Sequence, residues 1–236
     1  MKLSVLIPCR NEEAAVEKTV DAVVRRLDAA GIACEILAVN DGSSDGTEGV
    51  LQSLRARLPM FRYVNNPPPH GFGFAVRKGL EHVQGDAVAI VMADGSDDPE
   101  DLVRYARKLE EGYDCVFGSR FIPGGAVTGY PWHKLALNRM GNHLIQRLFG
   151  FAYNDTTNAF KCYRRTVIEG TSPLTSRGFE LTVELPLKAI LKGYSYAVIP
   201  VSWVSRKEGI SKLNIHEMGS RYCEVIWSLF FKKSSR

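Results

Sequence analysis

Long apolar runs and closely paired cysteines are both absent from this sequence. No stretch approaches the ~20 consecutive apolar residues that a transmembrane helix requires, so no segment is expected to cross a bilayer. The five cysteines are scattered, odd in number and never spaced C-x-x-C, which favours reduced core thiols in a cytosolic protein. The N-terminus leads directly into strand-like sequence, and no secretory signal is therefore expected.

The sequence also lacks a strong excess of charge of either sign and two common nucleotide-binding motifs. The 30 Lys and Arg against 26 Asp and Glu leave a net charge of +4, too small an excess to indicate a nucleic-acid-binding protein. No G-x-G-x-x-G follows the first predicted strand, which disfavours a dinucleotide-binding fold, and no G-x-x-x-x-G-K-[ST] indicates a P-loop ATPase. No Ser-His-Asp or Cys-His arrangement stands out among the five histidines.

The composition that remains, 45% hydrophobic and 24% charged, is typical of a globular protein with a sizeable core. Through the first half of the chain, short apolar runs alternate with segments of helical periodicity. Asn11 is expected to cap the first helix and Gly31 to end it. This alternation predicts an α/β fold with a mostly parallel sheet flanked by helices. The predicted strands are residues 3–7, 36–39, 61–64, 88–92 and 115–117.

An acidic stretch follows the fourth predicted strand. The apolar run 88–92 leads to Asp94 and then to the pair Asp97 and Asp98, before Pro99 opens a helix. Open α/β sheets bind ligands at the carboxyl ends of their parallel strands, and clustered carboxylates suit a hard divalent cation that carries phosphate oxygens. The alternative is a solvated helix start, in which Asp97 and Asp98 favour the helix dipole.

Two other polar loops follow strands at the same predicted edge of the sheet. Residues 8–12 and 40–45 should converge with 94–98 on one crevice, where Asp41 can accept hydrogen bonds from a base or a ribose. In the glycine-rich segment that follows the third strand, Gly71 and Gly73 would let the backbone approach a ligand closely.

The C-terminal segment is predicted to be an amphipathic helix with a basic tail. It suggests a division into a catalytic domain, residues 1–213, and the helix and tail, residues 214–236. The helix either packs on the body of the protein or lies at a membrane surface, with aromatic side chains among lipid headgroups and cations on anionic lipid. The density of apolar residues beside a basic end favours the membrane surface.

Seven segments, taken in their order along the chain, carry a resemblance to one family. They are SVLIPCRNEE, VNDGSSDGT, GFGFAVRKG, VMADGSDDPED, GSRF, NDTTNAFKCYRR and SRKEGISKLN. Together they resemble the polyprenyl-phosphate glycosyltransferases of glycosyltransferase family 2, the group that includes the dolichol-phosphate mannosyltransferases. The resemblance covers residues 3–214, and the motifs are specific as a set.

This resemblance implies a glycosyltransferase-A fold and an activity. Such enzymes use Mg²⁺ or Mn²⁺ and transfer a sugar, with inversion, from a nucleotide-diphosphate sugar to a polyprenyl (dolichyl or undecaprenyl) phosphate. They act as peripheral proteins at the cytosolic face of a membrane, and a separate membrane subunit can tether them.

The resemblance also assigns residues to roles. The nucleotide-sugar site would comprise Pro8, Asn11, Glu12, Asp41 and Asp94, beside the glycine-rich Gly73. The donor and acceptor phosphates would be held by Arg120, Arg139, Arg206, Ser211 and Lys212. Asp94 corresponds to the second aspartate of the metal-binding D-x-D motif, and with Arg120 and Arg206 it is assigned to catalysis.

One departure from the family pattern concerns the metal. Met92 stands where the motif has its first aspartate, and Ser96 stands where the family has a glutamine. A thioether is a poor ligand for Mg²⁺ or Mn²⁺, so Asp97 or Asp98 would supply the second carboxylate, or the diphosphate and water would complete the shell.

A phosphate acceptor would fit a sequence in which no well-placed His-carboxylate pair is evident. Its second pKa is near ~6, so it is mostly dianionic at neutral pH and can attack without a general base. Two other functions remain open. A family-2 enzyme with a hydroxyl acceptor would need a base, for which Asp97 or Asp98 could serve, and a catalytically weak nucleotide-sugar-binding subunit would fit the loss of the first aspartate.

Overall fold

The computed structural model describes residues 1–204 and 215–234. The strands are β1 (Leu3–Cys9), β2 (Cys34–Asn40), β3 (Phe61–Asn65), β4 (Ala87–Ile90), β5 (Cys115–Ser119), β6 (Ala126–Thr128), β7 (Lys161–Arg164), β8 (Tyr196–Pro200) and β9 (Ser202–Val204). The helices are α1 (Val16–Ala29), α2 (Thr47–Arg57), α3 (Phe72–Leu80), α4 (Pro99–Glu110), α5 (Trp132–Phe149), α6 (Arg165–Thr171), α7 (Leu181–Leu191) and α8 (Ile215–Ser234).

The central sheet has seven strands in the order β3-β2-β1-β4-β7-β5-β8. All neighbouring pairs are parallel except those of β7, which runs antiparallel to both β4 and β5. A smaller parallel pair, β6 with β9, lies beside the main sheet. The predicted α/β class with a mostly parallel sheet is confirmed.

Helices cover the sheet on both faces, which explains why the inner strands β1 and β4 are largely apolar. Every residue of β1 is buried, and its side chains alternate between two cores. Leu3, Val5 and Ile7 pack with residues of α1 and α4, whereas Leu6 packs with residues of α3 and α7.

The first helix begins later than the sequence indicates. α1 starts at Val16, and Asn11 lies outside it with a φ of 55°. Instead of capping the helix, the Asn11 side-chain Oδ1 accepts a hydrogen bond from Ser44 N at 2.8 Å. The expected end is correct, because Gly31 follows the helix with a φ of 67°.

α8 packs on α7 and α5 through a small apolar cluster. Ile226 and Leu229 from α8 meet Val183 and Leu187 of α7 in this cluster. The opposite side of α8 leaves Trp227 49% and Phe231 64% exposed. In the part of the chain that the structure describes, no helix combines the length and apolarity needed to span a bilayer.

A buried carboxylate, Glu35, ties together the amino-terminal edge of the sheet. It accepts hydrogen bonds from the Ser4 hydroxyl and the Gln84 and Gly85 amides, and Arg62 Nη2 lies 2.8 Å from its Oε2. Burial raises the pKa of Glu35, but the hydrogen bonds from Ser4, Gln84 and Arg62 outweigh it and hold that pKa below its ordinary value.

We expect Glu35→Ala to lower the free energy of unfolding by about 3 kcal/mol, because it leaves buried donors without an acceptor. Since the folded-state pKa is depressed, the stabilisation is present above the unfolded-state pKa and is lost as pH falls through the folded-state pKa. Urea unfolding of both proteins at pH 7 and at decreasing pH should show the difference shrinking on the acid side. A difference that stays constant with pH would contradict this account.

Candidate active site

The carboxyl ends of β1, β2 and β4 meet where the strand order reverses, since β2 and β4 lie on opposite sides of β1. The loops that follow β1 and β2 are joined directly. Asp41 N donates to Cys9 O at 2.8 Å, and Asn11 N donates to Ser43 Oγ at 3.0 Å. The loop that follows β4 is linked to them through α1, where Thr19 Oγ1 donates to Ala93 O at 2.8 Å. The sequence-predicted loops therefore lie at one edge of the sheet.

The loop residues assigned to a nucleotide differ in burial and in how many of their polar atoms are already hydrogen-bonded within the protein. Pro8 is buried within β1, and Glu12 N donates to Thr47 Oγ1 at 2.9 Å. Asp41 is buried, with Oδ1 accepting from Asn66 Nδ2 at 2.7 Å and Oδ2 accepting from Gly71 N at 2.8 Å. Asp41 therefore fixes the segment that leads into α3.

His70 lies beside that carboxylate. Its Nδ1 is 3.4 Å from Asp41 Oδ1, and its ring covers Gly42, where an added Cβ would lie 2.5 Å from His70 Nε2. Within the described residues, His70 Nδ1 is buried without a hydrogen bond.

Gly71 and Gly73, at the start of α3, do allow a close approach of the backbone, but what approaches is another segment of the protein. A Cβ on Gly73 would lie 2.6 Å from Ser176 O, and one on Gly71 would lie 2.6 Å from Arg177 O. Stacking of Phe72 on Phe179, with ring centroids 4.4 Å apart, holds the same contact. The sequence does not predict this contact between the loop and the segment 176–179, because neither segment contains a pattern that depends on the other.

The acidic loop after β4 places its three aspartates in different surroundings. Asp94 is half-buried, and its Oδ1 accepts from Ser96 N at 3.1 Å. Asp97 Oδ2 accepts from Met92 N at 2.9 Å. Asp98 is exposed and caps α4, with Oδ1 accepting from Glu100 N at 2.9 Å. The helix-start interpretation therefore holds for Asp98.

The pKa of Asp97 is raised to about 7, chiefly by burial and further by the negative charge of Asp94. The positive charge of Arg120 acts in the opposite direction on the same carboxyl group. The electrostatic influence of both residues on Asp97 indicates that the acidic loop and Arg120 belong to one region of the molecule.

The donor atoms at this loop fit a divalent cation that is shared with a ligand. In residues 1–204 and 215–234, no group of three or more His, Cys, Asp and Glu side chains is arranged to hold a metal by itself. Mg²⁺ is usually bound through one or two carboxylates together with substrate phosphates and water. Asp94, with Asp97 beside it, offers a donor set of that kind, and Met92 offers none.

Arg120 is bound by a partner that the sequence did not single out. Its Nε donates to Asp155 Oδ2 at 2.8 Å and its Nη2 to Asp155 Oδ1 at 2.7 Å, and its backbone N donates to the same carboxylate at 3.0 Å. Burial alone would lower the pKa of Arg120, but the hydrogen bonds to Asp155 raise it. Asp155 is fully buried, so the guanidinium is held in one orientation.

Arg139 lies beside Arg120, across one aromatic ring. The Cζ atoms of Arg139 and Arg120 are 4.2 Å and 5.3 Å from the ring centroid of Phe121. Arg139 Nη1 also donates to Asn154 O at 2.8 Å, next to the partner of Arg120. The structure thus brings together two of the five predicted phosphate-binding residues. The other three, Arg206, Ser211 and Lys212, lie outside the described residues.

The basic residues of β7 and its end stabilise the fold. Lys161 is buried, donates to the carbonyls of Thr156 and Thr182, and has a pKa lowered to about 7 by burial. Arg164 Nε donates to Tyr113 O, and Arg165 Nε donates to Gly85 O, each at 2.9 Å. This cluster therefore binds backbone carbonyls rather than a ligand.

Comparison with known proteins identifies the class. The sheet order and the likeness to solved structures define the glycosyltransferase-A fold. The chain belongs to glycosyl transferase family 2, whose family model matches residues 4–171. The predicted family and fold are confirmed.

Two relatives with named activities match most of the chain. A polyprenol monophosphomannose synthase from Mycolicibacterium smegmatis is 32% identical over 216 residues, which are 89% of this chain and 80% of the relative. A dolichol-phosphate mannosyltransferase from Pyrococcus furiosus is 28% identical over 219 residues, which are 90% of this chain and 59% of the relative.

Among solved structures, the fold resembles glucosyl-3-phosphoglycerate synthase from Mycobacterium tuberculosis. The complex of that enzyme with Mn²⁺, uridine diphosphate and phosphoglyceric acid aligns with a TM-score of 0.71 at 21% identity. The alignment covers 98% of this chain and 78% of the other. At this identity the likeness establishes the fold.

Proposed function

We propose that this glycosyltransferase transfers a sugar, with inversion, from a nucleotide-diphosphate sugar to a polyprenyl phosphate. The observation that carries the proposal is the similarity, over about nine-tenths of the chain, to relatives named for polyprenol and dolichol phosphate mannosyl transfer. The residue set at the sheet edge supports it, because carboxylates and guanidinium groups occur there in one region.

The donor side would be built on Asp94. A divalent cation, Mn²⁺ as in the solved relative or Mg²⁺, would be held by Asp94 with Asp97 and would supply positive charge for the departing diphosphate. Pro8, Asn11, Glu12 and Asp41 would surround the nucleotide. Asp41 is fixed by Asn66 and Gly71, so any further hydrogen bond from a base or ribose would meet a rigid acceptor.

The acceptor side would be built on arginines. A phosphate monoester is mostly dianionic at neutral pH, so it can attack the anomeric carbon without a base. It must, however, approach a negatively charged donor. Arg120 and Arg139, with Arg206 and Lys212 from the segment 205–214, would offset that repulsion. The Asp155 pair orients Arg120 before substrate arrives, which limits the reorganisation needed on binding.

An apolar surface on two helices supports work at a membrane. α5 and α8 share one apolar cluster on their inner sides. Their outer sides carry large exposed apolar residues, namely Trp132, Leu137, Met140, Leu144, Trp227 and Phe231. A surface of this kind suits the headgroup region of a bilayer, where the lipid acceptor resides. We propose that the enzyme works at the cytosolic face, with a membrane tethering subunit as a further partner.

The direct test compares acceptors in a transfer assay with radiolabelled nucleotide sugars. We expect label to enter polyprenyl phosphate and not the corresponding polyprenol, which has the same chain without the phosphate. Transfer to polyprenol, or transfer to saccharides alone, would contradict the proposal. The second outcome would favour a hydroxyl acceptor with Asp97 as base. The pKa of about 7 at Asp97 suits that role, because a general base works best when its pKa is near the working pH.

We expect Arg206→Ala to slow transfer to polyprenyl phosphate by about 10- to 100-fold, because one charge-assisted hydrogen bond to phosphate contributes roughly 1.5–3 kcal/mol. Steady-state rates over a range of acceptor concentrations would measure the change. Arg107→Ala, an exposed arginine on α4, is the matched control and should keep the wild-type rate. Equal rates in all three proteins would remove Arg206 from the acceptor site.

A further inference from the structure

A second cationic region lies beside the glycine-rich loop, between α3, the segment 173–177 and α8. This arginine cleft, a cavity of about 830 Å³, is lined by Arg77, Arg177 and Arg221 together with His70 and Phe74. We infer that the arginine cleft binds a phosphate-bearing anion. This inference concerns residues that have no part in the transfer mechanism proposed above, and it does not depend on that mechanism.

The wall that carries Arg177 is held rigidly by two buried carboxylates. Glu184 accepts from Thr175 N at 2.9 Å and from Ser176 N at 2.8 Å. Glu180 accepts from Arg177 N at 2.7 Å and from Gly178 N at 2.8 Å. Since these bonds fix the backbone on both sides of Arg177, the position from which its side chain projects is built into the fold.

The floor of the cleft is fixed to the same segment. Phe74 N donates to Arg177 O at 3.2 Å, and a Cβ on Gly73 would lie 2.6 Å from Ser176 O. The guanidinium of Arg77 lies over the ring of Phe74, with Cζ 5.8 Å from the centroid. α3 and the segment 173–177 therefore present Arg77 and Arg177 to one cavity as a unit.

Two of the three arginines that line the cleft have no counter-charge among the described residues. In residues 1–204 and 215–234, neither Arg77 nor Arg177 forms an ion pair with a carboxylate. The buried carboxylates of the wall, Glu180 and Glu184, accept from backbone amides, and Glu184 also pairs with Lys188. Like charges that converge on a cavity repel each other, and a bound anion relieves this repulsion.

Phosphate is the anion that the residue types select. Guanidinium groups match phosphate oxygens in a bidentate manner and are weakly hydrated, which makes arginine the usual residue for phosphate recognition. Two sources supply this chemistry. One is a soluble diphosphate, and the other is a phospholipid headgroup, since α8 carries Arg221 together with the exposed Trp227 and Phe231.

The test uses the full chain in EDTA, so that no metal-dependent site contributes. Calorimetric titration with pyrophosphate probes the soluble source, and co-sedimentation with phosphatidylcholine vesicles with or without phosphatidic acid probes the lipid source. The cleft variant is Arg77→Gln/Arg177→Gln. The control, Arg55→Gln/Arg107→Gln, removes the same charge from exposed positions on α2 and α4. Circular dichroism and thermal unfolding confirm that both variants fold.

We expect the wild type and the control to bind one probe saturably and the cleft variant to bind it about tenfold or more weakly, because charge-assisted hydrogen bonds are lost. If the cleft variant loses affinity for pyrophosphate alone, the ligand is a soluble phosphate. If it loses affinity for phosphatidic acid alone, the ligand is a lipid headgroup. Equal affinity in cleft variant and control, or no saturable binding of either probe to the wild type, would overturn the inference. A wild type that binds a probe but transfers no sugar would leave the cleft standing and remove the proposed function.

Discussion

Asp94→Asn is expected to reduce sugar transfer to polyprenyl phosphate by about a thousandfold or more, since it removes the charged ligand on which the donor site depends. The fold should persist, because Asp94 is only half-buried and an amide oxygen can also accept the hydrogen bond that Ser96 N donates to Asp94 Oδ1. A change of less than about 0.5 kcal/mol in the free energy of unfolding is expected. Initial rates at saturating metal, together with urea unfolding, measure both quantities.

The matched control lies four residues further along the same loop. Asp98→Asn makes the same chemical change at the residue that caps α4, and asparagine caps a helix as well as aspartate does. We expect it to keep nearly the wild-type rate. A wild-type rate in Asp94→Asn, or an equal loss in Asp98→Asn, would show that the cation is not held where we place it.

Asp155→Ala is expected to destabilise the protein by about 3–5 kcal/mol, because it leaves the buried guanidinium of Arg120 without its counter-charge. Transfer should fall as well, since Arg120 would no longer be held in one orientation. Urea denaturation measures the first effect. The second is measured at a temperature where the variant is still folded, as judged by circular dichroism.

An exposed ion pair supplies the comparison. Asp21→Ala breaks the pair between Asp21 Oδ1 and Arg57 Nη2, which are 2.8 Å apart, with side chains 31% and 47% exposed. Exposed pairs contribute about 0–1 kcal/mol, so this variant should unfold almost as the wild type does. If Asp155→Ala cost no more than Asp21→Ala, the buried pair would not hold Arg120 as described.

Much of the fold could be predicted because several of its strands are largely apolar. The runs that form β1, β2 and β4 are buried on both faces, and each ends in a polar loop, which is a signal that the sequence displays directly. The direction of β7 could not be predicted. This strand, KCYR, is short and contains two basic residues, and only its pairing with β4 and β5 shows that it runs antiparallel.

The charged residues of the site were harder to interpret than the strands. Arg120 and Arg139 were predicted to bind phosphate and do lie together, but the role of Asp155 could not be inferred. The motif NDTTNAF contained it without indicating a partner 35 residues earlier. Basic residues in a sequence do not reveal whether they meet ligands or carbonyls, and Lys161 meets carbonyls.

The contacts of the glycine-rich loop could not be predicted from the sequence either. A glycine allows close approach, but the sequence does not state what approaches. Gly71 and Gly73 face the backbone of residues 176–177, and that contact forms the floor of the arginine cleft. Contacts between distant segments of this kind come from tertiary packing and leave no local pattern to read.

The central claim is that an oxygen of the lipid phosphate becomes the bridge to the sugar. Mass spectrometry of the product made from polyprenyl phosphate labelled with ¹⁸O in its phosphate tests this most directly. We predict a lipid with one phosphorus, one added sugar and all of the label retained, while the released nucleoside diphosphate carries none. A lipid diphosphate, or a sugar joined to an acceptor that lacks the labelled phosphate, would contradict the account.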